Sequence, residues 1–299
     1  MRTFHLLDRN IVDLMELSNR NSNIPDDKRQ KKIAELKSND LVGNIFSPLL
    51  SILEGKIKRD KDTNGRMVAI PPSLAEIKNQ IVNEATTVKN FIKNSRTDYD
   101  FLLANLDYLS QLLFNKEDDK LIDIKIEYLN KLKEAVGNIV PVNQRESQYK
   151  KFKAISNEYK LLKEQPITLF VLMYIFGSNQ SANFLKFKRP SFIAYNPISD
   201  INHIKDTIKL IHSIDLTQDV SIVFESLDSD IEFISSIINY TSSSSSPNPE
   251  DRTVKIITNW TPNLQKIAEE IPETKGIDNK ELFFDCYKDF YEYDPRDYL

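Results

Sequence analysis

Glycine is scarce in this chain, with six in 299 residues. Loops that cradle a nucleotide's phosphates need closely spaced glycines, so that bare backbone can approach the anion. Neither G-x-G-x-x-G nor G-x-x-x-x-G-K-[S/T] occurs, which argues against dinucleotide enzymes and P-loop NTPases. Cysteine is scarcer still. Cys286 stands alone, so it has no internal disulfide partner and the chain suits a reducing cytosol. His5, His203 and His212 are the only histidines, too scattered for a Cys/His zinc site. Each reads more readily as a structural or surface residue than as a catalyst. No apolar run reaches the roughly 18 residues needed to span a bilayer. No cationic stretch precedes an apolar one at the N-terminus. Positive charge is not in excess either: Lys and Arg number 40 against 44 Asp and Glu, a net charge of −4. That excludes a generally basic nucleic-acid coat and leaves room for a local basic groove. The remaining composition, 40% hydrophobic and 28% charged, is ordinary for a soluble globular protein. Any metal should be a hard ion held by carboxylates, Mg²⁺ or Mn²⁺.

Strands and helices alternate at both ends of the chain. Thr3 to Leu7 is a short apolar run of strand type, and Asp8-Arg9-Asn10 leads into an amphipathic stretch, Ile11 to Leu17. A charged helix can start at Pro25-Asp26-Asp27. Asn44 to Leu53 is mostly apolar, broken at Ser47-Pro48 and closed by Glu54-Gly55. Residues 56 to 66 are polar and read as a mobile loop. Ser73 followed by Glu76 is a capping-box pattern. From there to about Gln165 the apolar spacing predicts helix after helix, with lysines on solvated faces. Pro166 to Gly177 reads as a buried helix too short for a membrane. Ala194 to Asp200 reads as a turn before a helix from Ile201. Val220 to Phe224 is a strong strand, residues 241 to 251 a low-complexity surface loop, and Val254 to Ile257 a third strand. This pattern predicts an α/β fold: a small, mostly parallel sheet with helices on both faces and a large helical insertion. The expected organisation is a core of residues 1–60 and 166–270, a helical subdomain over 72–165, and an aromatic, acidic tail over 271–299 that could dock on the body or on a protein partner.

Four acids fall at element boundaries: Asp8 after the first strand, Glu54 after an apolar run, Asp200 before a helix and Asp228 after a later strand. In a parallel sheet, ligands collect at the carboxyl ends of the strands. Carboxylates converging there would repel one another unless a divalent cation neutralised them. Mg²⁺ held by a few carboxylates and substrate phosphate oxygens suits phosphodiester hydrolysis. Taken singly, each acid is more often a helix cap or a surface residue than a ligand.

Leu7-Asp8-Arg9-Asn10-Ile11-Val12 resembles the Leu-Asp-x-Asn-hydrophobic opening of PIN and PIN-like nuclease domains. Ser226-Leu227-Asp228 is similar to that family's small-hydroxyl-x-Asp turn, Asn196 to Asp200 to its pre-helical acid segment, and Ser51 to Gly55 to the place of its early glutamate. The resemblance implies a metal-dependent nuclease acting on RNA or DNA, often of the toxin or defence type. It would use Asp8, Glu54, Asp200 and Asp228 as catalytic and metal-binding acids, with Asp230 as a further ligand. Asn10, Arg9, Ser226 and Lys56 would contact substrate, with Lys58 and Arg59 beside them. Arg9 stands where the family more often has Thr, and the block from 72 to 165 lies outside its usual small domain. Two other readings stand beside it. Glu54-Gly55 with Asp228-Ser229-Asp230 resembles a Toprim nuclease pattern, at a longer spacing than usual. A helical interaction module on a degenerate α/β core would use the helical block and the tail, and would not need all four acids.

Overall fold

The computed structural model of the protein describes residues 2–24, 26–55, 58–61, 67–70, 72–114, 121–137, 140–190, 192–213, 220–245, 255–274 and 278–299. The protein is α/β. The first half runs β1 (Arg2–Leu7), α1 (Arg9–Asn19), α2 (Asp27–Ser38), β2 (Ile45–Ser47), α3 (Leu49–Glu54), β3 (Lys58–Lys61), β4 (Met67–Ile70), α4 (Leu74–Phe91), β5 (Arg96–Thr97), α5 (Tyr99–Ala104), α6 (Leu106–Phe114) and α7 (Ile122–Val136). The second half runs α8 (Arg145–Glu158), α9 (Pro166–Ile175), α10 (Asn179–Leu185), α11 (Tyr195–Ser213), β6 (Val220–Glu225), α12 (Ser229–Ile237), β7 (Ile238–Ser245), β8 (Lys255–Pro262), α13 (Leu264–Glu270) and α14 (Asn279–Tyr291).

Four strands form a sheet in the order β5-β2-β1-β6. Every pairing in it is parallel, with Phe46 beside both His5 and Thr97, and Leu7 beside Glu225. Successive side chains of a strand point to opposite faces. Phe4, His5, Leu6 and Leu7 are all buried, so β1 is covered on both faces, as a central parallel strand must be. On the face that carries Leu7, the cluster includes Ile11, Leu14 and Met15 of α1, Ile33 and Leu36 of α2, Phe46, and Val88, Phe91 and Ile92.

The chain divides into two compact units, residues 1–117 with 206–232, and residues 118–205 with 233–299. The expected insertion, 72–165, is therefore shared between them. The apolar stripe of α4 explains why: Ile77, Ile81, Ala85, Val88 and Phe91 are buried, and α4 packs against α1, α5 and α6 inside the first unit. Ser73 closes the expected capping box with Glu76. The helical reading of 72–165 also missed β5, a two-residue strand hydrogen-bonded to β2.

Two hairpins lie outside the parallel sheet. Lys58–Lys61 pairs antiparallel with Met67–Ile70, where the polar composition predicted a loop. Ser242 to Ser245, also expected to be loop, belongs to β7 and pairs antiparallel with Thr258, Ile257, Ile256 and Lys255 of β8. A polar run can take strand form when its backbone groups find a ladder, because β-propensity depends strongly on context. Residues 246–251 of that expected loop lie outside the described residues. The third strand predicted from the sequence is thus half of a hairpin, and its first residue, Val254, also lies outside them.

In the second unit every residue of α9 is buried. Tyr128 anchors it through hydroxyl contacts with Ser156 at 2.8 Å and Thr168 at 3.1 Å. The C-terminal segment is part of this core: Phe283, Tyr287 and Phe290 of α14 are buried, and Phe290 packs on Phe152.

Candidate active site at the carboxyl edge of the sheet

The carboxyl ends of β1 and β6 meet in one hydrogen-bond network. The Asp8 N–H, one residue past β1, donates to the carbonyl of Glu225, the last residue of β6, at 3.0 Å. Asp8 has extended backbone and caps α1. Its Oδ1 accepts from the Arg9 N–H at 2.7 Å and its Oδ2 from the Ser226 hydroxyl at 2.6 Å. Asn10 Nδ2 also donates to that Oδ2. Asn10 Oδ1 accepts from the Leu227 N–H at 2.8 Å. Ser226 Oγ accepts from the Asp228 N–H at 2.8 Å, and Asp228 Oδ1 in turn accepts from the Asp230 N–H at 2.9 Å. Asp8 is buried, and Asp228 is exposed. Short polar side chains that bond to nearby backbone favour such turns over continued strand, so Asp8-x-Asn10 and Ser226-x-Asp228 lock each other.

Beneath this turn Glu225 is buried between two partners, His5 Nδ1 and Lys32 Nζ, each at 2.7 Å. Burial works against the charges of Glu225 and Lys32. Their pairing more than offsets it, holding the Glu225 carboxyl below its ordinary range and the Lys32 ammonium above its own. His5 stacks on Phe46 with ring centroids 4.3 Å apart.

The other two strands bring a further acid to the same edge. Asp98 follows β5 and bonds to the hydroxyl of Ser47, which ends β2. Burial, opposed only in part by Ser47, pushes its carboxyl up to about 7. The loop into β5 is fixed by Asp40. Burial raises the Asp40 carboxyl, but backbone N–H groups of Lys93, Ser95 and Asn94 outweigh that and lower it.

Arg9 turns inward. Its Nη2 donates to the Ser51 carbonyl at 2.6 Å and lies 3.3 Å from Glu84 Oε1, while its Nε lies 3.8 Å from Glu54 Oε2. The residues expected to touch substrate thus have internal partners: Arg9 pairs with acids, and Asn10 and Ser226 clamp Asp8. Lys56 lies outside the described residues.

Of the four acids that the sequence singles out, Asp8 and Asp228 share one network, and Glu54 is tied to that turn through Arg9. Asp200 is not before a helix but inside α11, and it belongs to the second unit. Asp230 is buried in the first turn of α12. Asp98, which the sequence reading missed, is a further acid that the first unit places on the edge. Its one signal is the break in apolar periodicity between Ile92 and Phe101. Among the described residues no three His, Cys, Asp or Glu side chains gather to hold a metal ion. No helix among them is long and apolar enough to cross a membrane. No protein-family model, curated protein or solved structure matches this chain.

Proposed function

We propose that the carboxyl edge of the first unit is a metal-dependent phosphodiesterase site of PIN-like type, acting on RNA or DNA. The observation that supports it is the network joining Asp8, Asn10, Ser226 and Asp228 across the ends of two adjacent parallel strands. Asp8 and Asp228 fit a hard cation: they are oxygen donors, and Mg²⁺ is commonly bound through one or two carboxylates, with waters and substrate phosphate oxygens completing its shell. That requirement is compatible with the lack of a three-acid cage among the described residues. A bound ion would supply a water of lowered pKa and polarise a phosphate oxygen. The chain's own part is orientation. Asn10 and Ser226 fix the Asp8 carboxylate, Ser226 fixes the backbone of Asp228, and the buried Glu225 ion pairs hold the end of β6.

Work on nucleic acid in the cytoplasm, as a toxin or defence effector, belongs to the same proposal. The Toprim pairing has less support, because Glu54 faces Arg9 and the Asp8 network would have no role in it. Calorimetric titration with Mn²⁺ tests the assignment of ligands. Wild type should bind the ion, with its affinity reduced at least tenfold in Asp8→Asn and in Asp228→Asn, while both variants keep their circular dichroism. Equal affinity in all three proteins would refute it.

A further inference from the structure

The aromatic tail that stands out in the sequence lines a cleft in the second unit. Its walls include Trp260 of β8, Tyr287, Tyr291, Tyr293 and Tyr298 of the C-terminal segment, and Glu164. The volume is about 920 Å³, near the top of the range for ligand pockets, roughly 300–1,000 Å³. All six residues belong to that one unit, so the cleft stands apart from the metal site proposed in the first. Its walls are held by bonds of their own. Trp260 Nε1 donates to the Glu164 carbonyl at 2.7 Å, which fixes the indole beside the acid. The hydroxyls of Tyr287 and Tyr293 bond to each other. Tyr293 stands edge-on to Tyr287 at 83° and to Tyr298 at 88°, with centroids 5.4 and 6.0 Å apart. Tyr293 is 36% exposed and Tyr298 72%, so ring surface is open to a ligand. Rings set at right angles enclose a compact group from two sides, whereas a base or a sugar lies flat on one face.

Charge decides what such a cleft takes. Among the described residues no Lys or Arg lines it, so an anion meets no counter-charge. Glu164 is exposed and has no ion-pair partner among the described residues. Its charge reaches the Tyr291 hydroxyl, which burial first, and neighbouring groups after it, push well above the ordinary range. The faces of aromatic rings attract cations, Trp most strongly, and a carboxylate at the same opening adds to the pull. A guanidinium uses both features: it is planar and stacks on rings, and its N–H fork pairs with a carboxylate. The cleft is also roomier than one side chain requires. We infer that it binds an arginine-bearing peptide segment, with the guanidinium on the ring faces and its N–H groups toward Glu164.

The test uses the full chain. The cleft carries its own reporter, because Trp260 is the one tryptophan in the sequence. A blocked Gly-Arg-Gly peptide should change its emission. It should bind at least about tenfold more tightly than the same peptide with citrulline, which keeps the shape and loses the charge. Tyr298→Ala and Glu164→Gln alter exposed residues, so both should melt within about 2 °C of wild type. Both should bind the arginine peptide at least about threefold more weakly. Equal affinity for the arginine and citrulline peptides overturns the inference. So does silence towards both at millimolar concentration, or wild-type affinity in both variants. Agmatine, a free guanidinium compound, binding as tightly as the peptide would overturn the peptide as occupant. Tighter binding of adenosine or maltotriose, which are neutral, would overturn the cation.

Discussion

Each buried charge at the edge is met by a partner, and that makes single substitutions informative. Glu225 is 2% exposed and Lys32 8%. Removing the cation in Lys32→Met leaves a buried carboxylate with His5 as its remaining partner at hydrogen-bond distance. Breaking a buried pair from one side costs about 3–5 kcal/mol, and urea unfolding should show that loss at neutral pH. Because the folded Glu225 carboxyl lies below its ordinary range, its contribution is present above the unfolded value and fades as pH falls through the folded one. The Lys32→Met deficit should therefore shrink in acid. Asp98 works in the opposite sense. Its folded carboxyl keeps a proton up to about 7, against an ordinary 3.8. Over that window the folded state binds more protons than the unfolded one, so stability falls as pH rises. The total is on the order of 4 kcal/mol, at about 1.4 kcal/mol for each tenfold difference in proton affinity. Asp98→Asn, neutral throughout, should remove this slope between about pH 4 and pH 7. An unchanged slope would mean that Asp98 titrates normally.

At the scale of elements, legibility followed periodicity. β1, β6, α4 and α9 announce themselves because apolar residues recur at the strand or helix period. The Asp8 and Asp228 turns were legible for the same reason, since each closes a readable strand. β5 was not: Arg96-Thr97 carries no apolar signal, and only its ladder to β2 and the Asp40 clamp on residues 93–95 make it a strand. Asp98 is hidden with it, and Asp200 reads as a boundary acid because Asn196-Pro197 before an apolar run looks like a turn, whereas it lies inside α11. That proline sits in the first turn of α11, where its missing N–H costs nothing. The serine run shows the same limit, since strand pairing is a property of two segments. Hydrogen exchange gives the check. Alternate backbone amides of Ser242 to Ser245 should be protected with those of β8, whereas uniform fast exchange would return this stretch to a loop.

At the scale of the molecule, a parallel sheet gathers the ends of four separate chain segments on one edge, and here three of those ends carry Asp8, Asp98 and Ser226-x-Asp228. Polar residues that order a turn are common; the same residues bonded across strands distant in sequence, with an exposed Asp228 beside a buried Asp8, are what the nuclease reading accounts for. A helical interaction module would not need all of them. Cleavage separates the two most directly. End-labelled single- and double-stranded RNA and DNA, incubated with wild type in Mn²⁺ or Mg²⁺, should be cut. EDTA should stop the reaction, and Asp8→Asn, which melts lower because an amide cannot accept from all three donors that hold the carboxylate but is assayed at a temperature where it stays folded, should be slower by at least about a hundredfold, the scale on which loss of one group that stabilises developing charge is felt. No cutting of any of the four substrates by wild type, or equal cutting by Asp8→Asn, would contradict the account.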